Sequence, residues 1–292
     1  MSMAPRKTPL LDVQDLSVTF RLKSGKVVDA VRDVSFSVMP GEIVALVGES
    51  GSGKSTIGHA LMGLLRYDSN VTMKGRVQFE TRSGNQDLLK ISDRAMRKLR
   101  GSELAMIFQE PMSSLNPIYT IGSQIAEQIL AHQKVSKSVA REQALDLLSR
   151  LGLPNPAKTM QSYPHQISGG MRQRAMIGMA LSCDPGLLIA DEPTTALDVT
   201  IQAQIIDLLK TLQKRTKMAI LFVTHDLGLV AEIADRALVM NAGQVVEQAP
   251  VMELFNDPKM PYTKALLSAV PRLRAFRRKS ADLSGPLPVE GT

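Results

Sequence analysis

Four groups of residues have the types and spacing to handle phosphate and water. The first is Gly48-Glu49-Ser50-Gly51-Ser52-Gly53-Lys54-Ser55-Thr56, directly after the apolar run Ile43-Val44-Ala45-Leu46-Val47. Gly48, Gly53, Lys54 and Ser55 fit the spacing G-x-x-x-x-G-K-[ST], in which glycines let successive backbone N–H groups turn inward onto phosphate oxygens. On that pattern Lys54 neutralises β- and γ-phosphates and Ser55 offers its hydroxyl to Mg²⁺. A helix beginning near Ser55 aims its positive end at the anion. The second group is Asp191-Glu192, two carboxylates at the end of Leu187-Leu188-Ile189-Ala190. Unpaired charge at the end of a buried strand is costly; Mg²⁺ held by Asp191 and a water activated by Glu192 supply a reason for it. The third is Ser168-Gly169-Gly170, where Ser168 suits an N-cap and two glycines leave the helix start open to a second anion. The fourth is a pair of single polar residues where buried runs stop, Gln109 after Leu104-Ala105-Met106-Ile107-Phe108 and His225 after Ala219-Ile220-Leu221-Phe222-Val223-Thr224. A lone Gln or His in such a place is commonly structural. Beside a phosphate loop and an acidic strand end, His225 becomes a candidate γ-phosphate contact and Gln109 a candidate site side chain.

These groups need strands and helices to present them, and the apolar pattern provides both. Leu11, Val13, Leu16, Val18 and Phe20, then Val27-Val28, Val31, Val34, Phe36 and Val38, alternate as strands of a sheet bounded by turns at Ser24-Gly25 and Pro40-Gly41. Phe20, at the end of the first strand, reads either as a core aromatic or as a face for an adenine ring, a stacking worth about 1–3 kcal/mol. Gly75 to Phe79 reads as a strand and Asp93 to Arg100 as a short charged helix, while Pro111 ends the run that carries Gln109. From Ile118 to Ser149 helical spacing dominates, through Ile121, Ile125, Ile129, Val139, Ala144, Leu147 and Leu148. This helical insertion breaks at Leu153-Pro154-Asn155-Pro156. A helix follows Ser168 and stops at Asp184-Pro185, another carries Ile201, Ile205, Ile206, Leu208 and Leu209, and residues 238–246 read as a closing hairpin. Composition shifts after Pro250, with a short helical appendage over Glu253 to Val270 and then a basic, Gly/Pro-containing tail.

Composition narrows the classes. With 292 residues, 44% of them hydrophobic, the chain makes one large or two modest domains with a real core. No apolar run approaches the roughly 18–20 residues of a membrane span, and Met1-Ser2-Met3-Ala4-Pro5-Arg6-Lys7 lacks the apolar stretch of a signal peptide. A cytosolic chain is expected. The single cysteine, Cys183, excludes an internal disulfide and a cysteine-built zinc or iron–sulfur site, and reads as a small buried residue near a helix end. Net charge is +7, part of it in Arg272, Arg274, Arg277, Arg278 and Lys279. That run reads as a solvated face or tail, with anionic lipid headgroups, and after them nucleic acid, as the alternative partners. Aromatics are 4% of residues and do not interleave with basic ones in the manner that stacks bases, so nucleic acid is not an expected partner.

Taken together, Gly48 to Ser55, Gln109, Ser168-Gly169-Gly170, Asp191-Glu192, Ala196-Leu197-Asp198 and His225 resemble the ordered motif set of an ATP-binding-cassette ATPase over about residues 10–248. In that family these are the Walker A, Q-loop, signature, Walker B, D-loop and H-loop elements. A narrower resemblance rests on Gly48-Glu49-Ser50-Gly51, residues 107–117, residues 191–200 and Pro261-Tyr262-Thr263-Lys264-Ala265-Leu266. It is similar to the ATPase subunits of oligopeptide, dipeptide and nickel importers, whose C-terminal extension carries a His-Pro-Tyr-Thr motif; here Met260 stands where the His is usual. Met171 after the two glycines resembles the D-type rather than the F-type subunit. Some relatives bind an iron–sulfur cluster through C-terminal cysteines, which this chain lacks.

The resemblance implies an α/β P-loop NTPase with a RecA-like core and an N-terminal antiparallel β subdomain. It further implies a helical subdomain over about residues 113–168 and a C-terminal extension over 251–292, with 1–9 a disordered start and 10–250 the ATPase domain. It implies ATP and Mg²⁺ as cofactors. Phe20, residues 48–56, the partner's copy of Ser168-Gly169-Gly170 and Asp198 would surround nucleotide, and Ser55, Asp191 and Gln109 would surround the metal. Glu192 would activate water, with Lys54, Gln109 and His225 positioning it and the γ-phosphate. Because one site is split between two subunits, a second ATPase is implied, an F-type relative or a second copy. Two transmembrane permeases and, through the complex, an extracellular or periplasmic solute-binding protein complete the expected assembly, placing the chain peripherally on the cytoplasmic face of the inner membrane. The alternatives are an exporter ATPase or a soluble nucleic-acid-associated cassette. Only one cassette is present, with no long heptads and no zinc cysteines, and both Lys54 and Glu192 are retained.

Overall fold

A computed structural model describes residues 8–109, 115–195 and 197–269. Strand β1 (Leu11–Arg21) pairs antiparallel with β2 (Val27–Val38) and with β4 (Val71–Thr81), and β4 with β5 (Gly84–Asp87), giving a four-stranded sheet in the order β2-β1-β4-β5. The alternation of β1 slips between Val13 and Leu16, where the pairing register shifts and Asp15 takes φ +50°. An inserted residue of this kind is how a strand restores its apolar side to the core after an irregular pair. β4 is longer than the Gly75 to Phe79 expectation. β5 was not expected, because Gly84-Asn85-Gln86-Asp87 carries no apolar alternation.

The second sheet has the order β10-β9-β3-β8-β7-β6, from β3 (Ile43–Val47), β6 (Leu104–Ile107), β7 (Leu187–Asp191), β8 (Ala219–Thr224), β9 (Arg236–Asn241) and β10 (Gln244–Pro250). β3, β6, β7, β8 and β9 run parallel, and β10 closes a hairpin antiparallel to β9. Every residue of β3, β6, β7 and β8 is buried, as expected for strands covered on both faces. The two-residue period then divides the core. Leu187, Ile189, Leu221 and Val223 join the core shared with the antiparallel sheet and with Ile57, Ala60 and Leu61, while Leu188, Ala190, Ile220 and Phe222 join the core built by the later helices with Ile125, Ile177 and Ile205.

Among the described residues the α-helices are α1 (Lys54–Leu61), α2 (Asp93–Leu99), α3 (Ile121–His132), α4 (Lys137–Arg150), α5 (Pro156–Gln161), α6 (Gly169–Leu181), α7 (Val199–Thr216), α8 (Leu227–Ile233), α9 (Val251–Asn256) and α10 (Pro261–Ser268). Side chains of Ser92, Thr120, Ser136, Asn155, Ser168, Asp198 and Asp226 accept backbone N–H bonds at seven of their starts. The expected break at Leu153 to Pro156 is also a beginning: Asn155 caps α5 and Pro156 occupies its first turn. The single C-terminal appendage is two helices, separated at Asp257-Pro258. Cys183 is buried just beyond α6. The start of the chain through Lys7, Pro111 and the Arg272 to Lys279 run lie outside the described residues. Among the described residues no helix is long and apolar enough to cross a membrane.

Candidate functional site

β3 lies between β8 and β9, so its C-terminal end opens at the middle of the sheet. At the two ends of the loop, Gly48 and Gly53, the backbone packs so closely that a side chain is excluded. A Cβ on Gly48 would stand 2.2 Å from the Met240 carbonyl oxygen, and one on Gly53, whose φ is +100°, would stand 2.3 Å from that of Ala30. Lys54 is only 5% exposed. Its Nζ donates to the carbonyls of Gly48 (2.8 Å) and Glu49 (2.7 Å) and to Ser52 Oγ (3.3 Å), curling back over the loop. Burial lowers its pKa, against the pull of the Glu192 and Asp191 carboxylates. α1 has neither a side-chain cap nor an acidic residue in its first turn, the arrangement in which helix N–H groups serve a bound anion.

Ser55, in that first turn, donates Oγ to Asp191 Oδ1 at 3.0 Å. Asp191 is buried at the end of β7; burial raises its pKa and the Ser55 bond opposes the rise. Glu192 follows with φ +46°, and its N–H donates to the Val223 carbonyl of the neighbouring β8 at 2.9 Å. Its side chain gathers donors from three places. Gln109 Nε2 lies 3.1 Å from Oε2, Thr195 Oγ1 lies 2.9 Å from the same oxygen, and His225 Nδ1 lies 3.0 Å from Oε1. Burial alone would raise the Glu192 pKa, but the bonds from His225 and Thr195 and the charge of Lys54 bring it below the ordinary carboxylate value. Gln109, Asp191 with Glu192, and His225 thus come together because β6, β7 and β8 are consecutive parallel neighbours ending on one side. Thr195 escaped the sequence reading: a hydroxyl three residues beyond a carboxylate has no pattern until the turn that folds it back is known.

The remaining candidates stand apart from this cluster. Ser168 Oγ accepts the Met171 N–H, and among the described residues no hydrogen bond joins 168–170 to 48–56. A Cβ on Gly170 would lie 3.0 Å from Ile201 Cγ2, and the buried Gln173 donates to the Pro193 carbonyl, so α6 is seated on the segment after Glu192 and on α7. Asp198 caps α7 by accepting the Ile201 N–H at 2.9 Å. Phe20 is half-buried against the core of the antiparallel sheet and pairs across it with Val28, two residues from the Ala30 that touches Gly53.

A metal would meet hard oxygens here, the Ser55 hydroxyl and the Asp191 carboxylate within 3.0 Å of each other. That donor set suits Mg²⁺, which takes one or two protein oxygens and completes its shell with water and phosphate. Among the described residues there is no cluster of three or more His, Cys, Asp or Glu that would make an all-protein metal cage.

A phosphate loop at the centre of a parallel sheet, a strand-end Asp-Glu pair and a Gln and His on its neighbours define a P-loop ATPase of the ATP-binding-cassette class. Comparison with known proteins agrees. Residues 31–195 match the ABC transporter family and residues 246–290 the oligopeptide/dipeptide transporter C-terminal region. The dipeptide transport ATP-binding protein DppD of Bacillus subtilis is 50% identical over 286 residues, 97% of this chain and 81% of that one. The glutathione import ATP-binding protein GsiA of Pectobacterium atrosepticum is 50% identical over 291 residues, 99% of this chain but 46% of that one. The chain therefore spans less than half of one relative and about four-fifths of the other. Among solved structures, the dimeric post-hydrolysis ATP-binding cassette MJ0796 bound to ADP and Pi aligns with a TM-score of 0.72 at 26% identity, covering 82% of this chain and 98% of that one. The chain belongs to the ABC transporter family, as an ATP-binding, ATP-hydrolysing subunit of the peptide-import branch.

Proposed function

We propose that the chain powers uptake of a peptide or similar small solute by binding and hydrolysing ATP beneath two transmembrane permeases. It would sit peripherally on the cytoplasmic face of the inner membrane, in an assembly served by a solute-binding protein. The second ATPase is an F-type relative, a reading that rests on Met171 after Ser168-Gly169-Gly170. The observation that carries the catalytic reading is the Glu192 carboxylate, held between Gln109 and His225 at a strand end beside Asp191.

In this reading Lys54 exchanges the Gly48 and Glu49 carbonyls for β- and γ-phosphate oxygens, and the loop amides take the rest of the charge. Phe20 stands at the adenine side. Ser55 and Asp191 hold Mg²⁺, with Gln109 near its shell; the ion would supply charge neutralisation on the β- and γ-phosphates. Glu192 accepts the proton of the attacking water while Gln109 and His225 hold water and γ-phosphate in place. Ser168, Gly169 and Gly170 of the opposing subunit close over the γ-phosphate, and Asp198 borders the same seam.

The first test is Glu192→Gln in the full chain assembled with its partner ATPase. It is expected to bind ATP as the wild type does and to hydrolyse it about 10²–10⁴-fold more slowly. Undiminished turnover would refute the catalytic reading. Mass spectrometry of what co-purifies with this variant from detergent-solubilised membranes in MgATP tests the assembly. Two membrane proteins and a related, distinct ATPase are expected; ribosomal or DNA-repair proteins would favour the soluble alternative.

A further inference from the structure

An ionised carboxylate offers about four lone-pair positions, and three of those on Glu192 are taken. Oε2 accepts from both Gln109 Nε2 and Thr195 Oγ1, which fills it, while among the described residues Oε1 faces His225 Nδ1 alone and keeps one position. The three donors differ in what carries them. Gln109 stands beyond the end of β6, and the His225 side chain is 61% exposed at the end of β8. Thr195 belongs to the turn that Glu192 itself begins: its own N–H donates to the Glu192 carbonyl at 3.1 Å while its hydroxyl donates to the Glu192 carboxylate at 2.9 Å. One residue therefore grips both the backbone and the side chain of Glu192, at a position where φ +46° departs from the backbone most residues adopt.

We infer that Thr195 is a positioning residue for ATP hydrolysis: its hydroxyl fixes the Glu192 carboxylate so that Oε1, beside His225, is the oxygen that takes the proton of the attacking water. The inference rests on Glu192 being the general base. In that step a water O–H bond breaks and its proton goes to Oε1. The water oxygen bonds to the γ-phosphorus, the bond from that phosphorus to the bridging oxygen breaks, and ADP leaves with the bridging oxygen's electron pair. The proton passes from Oε1 to solvent. Without the Thr195 hydroxyl, Oε2 has a vacant lone-pair position and the carboxylate has lost the donor that rides on its own turn. It then turns about its terminal torsion, and water is met by either oxygen.

The test compares Thr195→Val, which keeps the branched shape and removes the hydroxyl, with Thr195→Ser, which keeps the hydroxyl. Both are measured in the complex purified with its membrane subunits, alongside Glu192→Gln. Thr195→Val is expected to lower kcat about ten- to hundredfold, the worth of one hydrogen bond to a charged group, with the KM for ATP within about twofold of wild type. Thr195→Ser is expected to keep kcat within about twofold. Wild-type kcat in Thr195→Val beside an inactive Glu192→Gln would overturn the inference and leave the general base in place. A loss in Thr195→Ser as deep as in Thr195→Val, or one appearing in KM, would also overturn it, since either marks packing rather than the hydroxyl. Wild-type turnover in Glu192→Gln would remove the base and Thr195's role together.

Discussion

Lys54 is a cation in a place that disfavours cations. It is buried, its pKa is lowered by that burial, and its three donors are occupied by two loop carbonyls and a hydroxyl. Those partners are neutral, so a phosphate oxygen bearing full charge competes well for the same ammonium. Lys54→Ala is accordingly expected to weaken ATP binding about ten- to hundredfold, measured by nucleotide titration of the full chain. Asp198 makes a contrasting case. Its N-cap bond to Ile201 is local to α7, so Asp198→Ala is expected to cost about 0.5–2 kcal/mol of stability in denaturant unfolding, whatever it does at a subunit seam. At this scale the sequence was most legible where chemistry dictates spacing: Gly48 to Ser55, and Asp191-Glu192 after an apolar run. It was least legible where a side chain acts through a turn. Thr195 carries no more signal in the string than its neighbour Thr194, because what matters is the backbone path between positions 192 and 195.

At the scale of elements, buried strands announced themselves as apolar runs ending in polar residues, and the strand that ends in Asp191 and those that lead to the phosphate loop and to His225 fell where those runs predicted. β5 did not, since pairing with β4 rather than apolar alternation makes it a strand. α5 was hidden by its own signals, as Asn-Pro starts a helix as readily as it ends one. The C-terminal helices show the same dependence on tertiary partners. α10 has no side-chain cap of its own; Glu247 on β10 takes the N–H of Lys259 with Oε1 (2.7 Å) and of Met260 with Oε2 (3.0 Å), just ahead of it. Burial would raise the Glu247 pKa, but the groups around the carboxylate, those two amides and the Lys259 ammonium among them, more than compensate and lower it. A lowered folded-state pKa means that the unfolded chain binds the proton first as pH falls. The anchor is therefore at full strength above the ordinary Glu value of about 4.3 and is lost as pH drops through the lower folded-state value. Hydrogen exchange over residues 261–268 is expected to be slow at neutral pH, to lose protection relative to the rest of the chain below about pH 4, and to be fast already at pH 7 in Glu247→Ala.

For the whole molecule, the proposed division of the site between two ATPase subunits matters most. Among the described residues Ser168 to Gly170 and the phosphate loop share no hydrogen bond, so on that reading a chain without its partner is expected to hydrolyse ATP poorly at any nucleotide concentration. Its specific activity should rise with protein concentration or on adding the partner ATPase, which a coupled phosphate-release assay would read. The helical insertion is not a free-standing unit either: Ile125, Ile129, Leu148 and Leu151 pack in the same core as Ile177, Ile205, Ile220 and Phe222. The sheet order adds a consequence for how the protein is made. β3, which carries the phosphate loop, is flanked by β8 and β9, and residues 48–218 lie between it and the first of them. At about 5–20 residues per second of synthesis, the strand waits roughly 10–35 s on the ribosome before either neighbour exists. Throughout that interval Ile43 to Val47 is an apolar segment with both edges unpaired. A nascent chain is thus expected to need shielding by chaperones until β8 and β9 emerge, and nucleotide cannot assist its folding before then.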